Sequence, residues 1–109
     1  MIEPRAEPLF SVLLPTRNRL ELAKGMIETL RAQRNHEWEL IVADNASEED
    51  VGGYLAGLGD ARIRHIRSDV VLPVTENWNR AIDAAAGRLV IMMGDDDGLA
   101  PGCLDRVAD

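Results

Sequence analysis

Leu89-Val90-Ile91-Met92-Met93 runs without a charge straight into Asp95-Asp96-Asp97, with Gly94 and Gly98 on either side of the acids. Such a run predicts a strand buried on both faces that delivers its carboxylates at its C-terminal end. Three adjacent carboxylates repel one another, so outside a disordered acidic tract the cluster calls for a neutralising cation. All-oxygen ligands suit a hard divalent ion, Mg²⁺ or Mn²⁺, that also holds substrate phosphates. The alternative is a solvated acidic turn in which one Asp caps the next helix. In open α/β sheets ligands sit at the carboxyl ends of strands, where these acids fall, and this favours a metal-bound phosphate ligand.

The segments leading to this strand alternate in period. Phe10-Ser11-Val12-Leu13-Leu14 predicts a central strand that closes at Pro15, where a backbone donor is lost. Asn18 and Glu21 have the spacing of an N-cap box. Beyond them Leu20, Ala23, Met26, Ile27 and Leu30 form a helical stripe that packs on a sheet. Trp38 to Ala43 reads as a second strand, and Ser47 with Asp50 as a second capping box. The helix that follows is weakened by Gly52, Gly53 and Gly57, each costing about 1 kcal/mol against alanine, and is expected to be short. Arg62 to Ile66 is a half-exposed strand, though Ile63 and Ile66 depart from strict alternation. Ser68 to Pro73 is a loop. Trp78, Ala81, Ile82 and Ala85 mark a third helix ending at Gly87 as its C-cap. Pro101 fits the first turn of a last helix with Leu104 and Val107 as its apolar side.

Strand and helix therefore alternate four times, which implies an α/β fold: a mainly parallel, Rossmann-like sheet with helices on both faces. Neither a Gly-x-Gly-x-x-Gly fingerprint nor a P-loop occurs, so a nucleotide would be held by other means. A chain of 109 residues holds one small domain, and its net charge of −7 argues against a nucleic-acid backbone as partner. The single cysteine, Cys103, excludes an intrachain disulfide, and His36 and His65 stand too far from it in sequence to suggest a zinc set. We expect Cys103 to be buried packing and the location to be cytoplasmic. Residues 1–9 carry prolines and acids without an apolar core, and read as a loose lead-in rather than a signal peptide or membrane anchor.

Four short pieces resemble family 2 glycosyltransferases of the GT-A fold: Pro15-Thr16-Arg17-Asn18-Arg19, Ala43-Asp44-Asn45-Ala46-Ser47, Asn77-Trp78-Asn79-Arg80-Ala81-Ile82 followed by Ala86-Gly87, and Met93-Gly94-Asp95-Asp96-Asp97 followed by Pro101. Each is weak alone, but their order and spacing make the joint match specific, and it covers the chain from Phe10 onward. The resemblance implies the nucleotide-sugar-binding half of that fold. Base and ribose would be held by the loop after the first strand and the acid after the second, which points to Pro15, Thr16, Arg17, Asp44 and Asn45. Arg17 stands where the family often has tyrosine, and could stack on a base or reach a phosphate. Asn45 stands where a second acid is frequent, and its amide could pair with a base edge. The Asp-x-Asp motif fits as Asp95 and Asp97; counting back from Pro101 instead puts Gly94 first and Asp96 at the metal-binding place. The metal residues are thus Asp95, Asp96 and Asp97, with Asp95 also facing substrate. Asn79 and Arg80 would reach phosphates or donor sugar.

By the same resemblance a whole enzyme needs roughly twice this length, because the acceptor half and, in inverting members, the general base follow the Asp-x-Asp strand. We therefore expect a donor-binding half, truncated within its last helix, that binds a nucleoside diphosphate sugar through a divalent metal for transfer to a hydroxyl acceptor. No catalytic residue is identified on it: Asp60, Asp69 and Asp83 have no motif context. The alternative is a non-catalytic nucleotide-binding or self-associating module. In either case an uncovered sheet edge is expected to favour self-association.

Overall fold

The computed structural model describes residues 8–108; most of the expected lead-in, residues 1–7, lies outside the described residues, as does Asp109. Strands and helices alternate as β1 (Phe10–Thr16), α1 (Leu20–Arg31), β2 (Trp38–Asn45), α2 (Val51–Leu58), β3 (Ile63–Ser68), α3 (Val74–Ala84), β4 (Leu89–Met92) and α4 (Cys103–Ala108). The four strands form one parallel sheet in the order β3-β2-β1-β4. The chain thus steps outward from β1 to β3, and α3 then carries it back across the sheet to lay β4 on the far side of β1. That reversal opens a crevice at the carboxyl ends of β1 and β4.

Alternation within the strands divides the core in two. Val12, Leu14, Leu40 and Val42 meet the predicted stripe of α1, Ala23, Met26, Ile27 and Leu30, with Leu55 of α2 and Leu104 of α4 closing the same layer. Leu13, Ile41 and Ala43 point the other way and pack on Ala81 of α3. Two covered faces are why β1 and β2 read as continuous apolar runs. They also explain β3, whose Ile63 joins the first cluster and Ile66 the second.

Pro15 does not end β1. The ladder runs through Pro15↔Ala43 to Thr16↔Asp44. Leu9 and Leu13 aim their carbonyls at β4, accepting from the amides of Leu89 and Met93. Pro15, two residues on, faces that same side, where β4 has already stopped at Met92. The missing N–H therefore costs no ladder bond.

β4 is not the doubly buried strand its composition predicts. Among the described residues it is an edge strand pairing with β1 alone, and Val90 is 51% exposed. Ile91 and Met93 pack against the larger cluster. On the opposite face α3 lies over β2 and β1, so Val90 and Met92 stay uncovered. The stripe expected on α3 is displaced as well: Asn77 and Ala81 are buried, whereas Val74, Trp78 and Ile82, one turn apart, are exposed.

The helix caps also differ from local expectation. Asn18 has φ +54° and α1 is capped from another loop: the Leu20 amide donates to Glu49 Oε1 at 3.0 Å. Asn18 is instead tied to the β2–α2 loop, its amide donating to Ser47 Oγ and its Oδ1 accepting from the Glu48 amide. With Ser47 so engaged, the N-cap of α2 is Asp50, which accepts from the Gly53 amide at 2.9 Å. α2 has eight residues, as short as its glycines predict. Gly87 is no C-cap, since α3 ends at Ala84 with Ala85 as its C-cap. A Cβ at Gly87 would stand 2.6 Å from Ser11 Oγ and 2.7 Å from the Phe10 carbonyl carbon, so glycine is required by close approach. Pro101 lies in a turn before α4; Cys103 is partly rather than fully buried, and Val107 is exposed.

Candidate functional site

A cleft of about 350 Å³ lies at the carboxyl ends of β1, β2 and β4. The end of β1 and the loop after it contribute Pro15, Thr16, Arg17 and Arg19; Asn45 ends β2; Val74, Asn77 and Trp78 come from α3; and Asp95 follows β4. Thr16 and Asp95 meet directly, the Thr16 hydroxyl donating to Asp95 Oδ2 at 3.0 Å. Arg19 Nη1 donates to Asp95 Oδ1 at 3.3 Å. Asp95 is buried, so these bonds meet the cost of desolvating its carboxylate.

The three consecutive acids separate. Asp97 folds back, accepting from the Gly94 amide at 3.2 Å while its own amide donates to the Gly94 carbonyl. Asp96 is exposed, and Asp95 alone of the three lines the cleft. Among the described residues no three His, Cys, Asp or Glu side chains converge as a metal cage. The donor set still suits Mg²⁺ or Mn²⁺, which is commonly held by one or two carboxylates together with substrate phosphates. The cleft lining carries two guanidinium groups against one carboxylate, a local excess of positive charge in a chain of net charge −7. It favours an anion.

Asp44 and Asn45, adjacent in sequence, face opposite sides of the sheet. Asp44 Oδ1 accepts from the Ser47 amide, and its Oδ2 accepts from Arg67 Nη1 at 3.2 Å and stands 2.9 Å from His65 Nε2. Burial pushes its pKa up, but the bonds from Ser47 and His65 outweigh that and hold it below the usual carboxylate value. It does not line the cleft. Asn45 does, and its amide is doubly bonded to one backbone unit, donating to the Leu72 carbonyl and accepting from the Leu72 amide. One amide hydrogen and one lone pair are left for a ligand. Asn79 is exposed outside the lining, and Arg80 Nη2 donates to the Ile66 carbonyl at 3.3 Å.

Arg19, Val74, Asn77 and Trp78 were not among the site residues expected from sequence. Asn77 had a readable signal, because it precedes Ala81 by one helical turn and so puts an amide on the buried stripe. Its Nδ2 donates to the Ala43 carbonyl at 3.0 Å, while its buried Oδ1 has no partner among the described residues.

The profile of Glycosyl transferase family 2 matches residues 11–109. The chain is 34% identical over 99 residues to the putative colanic acid biosynthesis glycosyl transferase WcaA of Escherichia coli K12, covering 89% of this chain and 36% of that protein. It is 32% identical over 103 residues to the GalNAc(5)-diNAcBac-PP-undecaprenol beta-1,3-glucosyltransferase of Campylobacter jejuni, covering 92% of this chain and 33% of that one. Thus the chain spans about a third of the length of these relatives. Among solved structures, S. aureus TarS 1–349 in complex with UDP-GlcNAc superposes with a TM-score of 0.83 at 22% identity, over 91% of this chain and 30% of that one. The mannosyltransferase PcManGT of Pyrobaculum calidifontis, in complex with GDP-Man and Mn2+, superposes with a TM-score of 0.81 at 18% identity, over 94% and 32%. A parallel sheet whose order reverses beside β1, a cleft at that reversal and a profile match from Ser11 onward agree: the chain belongs to glycosyl transferase family 2.

Proposed function

We propose that the cleft binds a nucleoside diphosphate sugar together with Mg²⁺ or Mn²⁺, and that the domain is the donor-binding part of an enzyme transferring that sugar to a hydroxyl acceptor. The observation that carries this reading is the meeting of Thr16 and Asp95 across the reversal point, with Arg17 and Arg19 in the same lining. The complexes of TarS with UDP-GlcNAc and of PcManGT with GDP-Man and Mn2+ support it by likeness of fold.

Asp95 would hold the cation and Thr16 would orient Asp95, with Asp96 the nearest further carboxylate in sequence. When bound, the cation neutralises charge building on the leaving nucleoside diphosphate. Arg17 and Arg19, both in the lining, would add charge-assisted hydrogen bonds to phosphate oxygens. The exposed Trp78 ring offers the base or sugar a flat apolar wall, and Asn45 retains amide capacity for a polar edge. Asp95 is the sole carboxylate in the lining, so no second acid stands ready to take an acceptor's proton. Acceptor transfer by this chain alone is therefore not expected. A cytoplasmic location belongs to the same proposal.

Calorimetric titration with UDP and GDP, with Mn²⁺ and then with chelator, tests the reading. Binding that weakens at least tenfold on chelation supports it. Equal affinity with chelator would remove the metal, and failure of every nucleotide would remove the site. A second reading, self-association, is favoured by the uncovered edge of β4 and by Val74, Trp78 and Ile82 on α3. Light scattering at high concentration would report dimers or larger species if it holds, and a clean monomer if it does not.

A further inference from the structure

We infer that Arg19 is the resident counter-ion of Asp95, occupying the cation's place until metal and diphosphate arrive together, and then passing to the diphosphate. The inference rests on the function proposed above and adds to it a source of cooperativity between the two ligands.

A buried carboxylate needs a compensating charge as well as hydrogen bonds. Thr16 supplies Asp95 with a hydrogen bond but no charge. Among the described residues, Arg19 is the cation in ion-pair contact with Asp95. The contact is loosely made. At 3.3 Å it is longer than the 2.7–2.9 Å usual for a charge-assisted bond, and the Arg19 side chain is 54% exposed. Other arginines of the fold are tied at several points: Arg62 donates twice to Asp60 side-chain oxygens from different nitrogens, and Arg67 bonds both Asp44 and the Ser47 carbonyl. Arg19 has the one bond to Asp95, and its side chain does not cap α1 although it occupies the N-cap position. It is thus the cation of this region that can leave without unmaking the scaffold.

A divalent ion held by Asp95 would repel the guanidinium paired with the same carboxylate, so metal alone would have to displace Arg19 with no new acceptor to receive it. A diphosphate in the cleft provides new acceptors beside Arg17, and displacement then becomes favourable. Metal and diphosphate should therefore each tighten the other, with Arg19 carrying part of that coupling.

The test is the Arg19→Gln variant of the 109-residue chain, with Arg19→Lys beside it and the urea midpoint checked for both. Mn²⁺ alone is titrated by the loss of the free-ion electron paramagnetic resonance signal, and UDP and GDP are titrated calorimetrically at fixed Mn²⁺. For Arg19→Gln, Mn²⁺ alone should bind about fivefold more tightly, because an opposing ion pair is gone. Nucleotide at fixed Mn²⁺ should bind about tenfold more weakly, because a charged donor to phosphate is gone. Arg19→Lys should stay near the parent in both. Changes of opposite sign are the signature, since a merely structural role would weaken both ligands together. Nucleotide binding that is chelator-sensitive in the parent, with Mn²⁺ affinity in Arg19→Gln unchanged or lowered, would overturn this inference and leave the proposed function standing. A parent that binds neither nucleotide would overturn both.

Discussion

Asp44 and Asp95 are both buried aspartates at the carboxyl end of one sheet, yet they are held in opposite ways. The Asp44 side chain is 1% exposed and its partners, Ser47, His65 and Arg67, belong to the framework of β3 and the β2–α2 loop. The Asp95 side chain is 10% exposed and is held by Thr16 and by an arginine that is itself half in solvent. A carboxylate enclosed by framework donors fixes a loop. One whose charge is met by an exposed side chain at a cleft is free to change partners. The comparison separates two acids that sequence motifs alone treat alike.

The sharpest way to break it is Asp44→Ala, which strands His65 and Arg67 and unties the Ser47 turn. We expect a loss of about 3 kcal/mol in urea unfolding. Parent-like stability would erase the distinction. Acid should act on the same framework. The Asp60 pKa is lowered to about 2, first by the Arg62 side chain and further by Arg31, and burial offsets only part of this. Glu39 is raised by burial but lowered more by Ser11, the Ala86 amide and Arg64. Groups held below their unfolded values stabilise fully above those values, near pH 4, and lose that contribution as pH falls through the folded ones. Together with Asp44 they predict a fall in unfolding free energy between about pH 4 and pH 2, on the order of 2 kcal/mol from Asp60 alone. Chemical denaturation across that interval checks it, and a flat profile would refute it.

Thr16→Val keeps the shape of the strand end but removes the hydroxyl on Asp95, and should cost about 1 kcal/mol in the same assay. The smallest effect on folding is expected from Asp95→Asn, at most about 0.5 kcal/mol, because Asn can still accept from Thr16 and the ion pair lost is half exposed. Its Mn²⁺-dependent nucleotide affinity should nonetheless drop at least about tenfold. Calorimetry and denaturation on one preparation would show whether stability and binding separate at Asp95 as they should not at Asp44.

Much of this is legible in the sequence itself. Periodicity predicted the alternation of strands and helices and the buried stripe of α1, because a residue's face is decided by neighbours two to four positions away, and glycine content predicted the short α2. Strand-end reasoning pointed to Asp95; Pro15, Thr16, Arg17 and Asn45 were named by the family resemblance alone, and all five line the cleft. Only the tertiary structure decided the rest. Both expected capping boxes were displaced by a cross-loop bond from the Asn18 amide to Ser47, 29 residues apart. Gly87 was set by the approach of Ser11, and the exposure of β4 by where α3 lies. Asp44 and Asn45 parted because the pleat turns consecutive side chains to opposite faces, and which face opens on the cleft depends on the order of strands. Thr16 and Asp95 are 79 residues apart, and no local pattern encodes a bond across that distance; it exists because the chain reverses its direction across the sheet between β3 and β4.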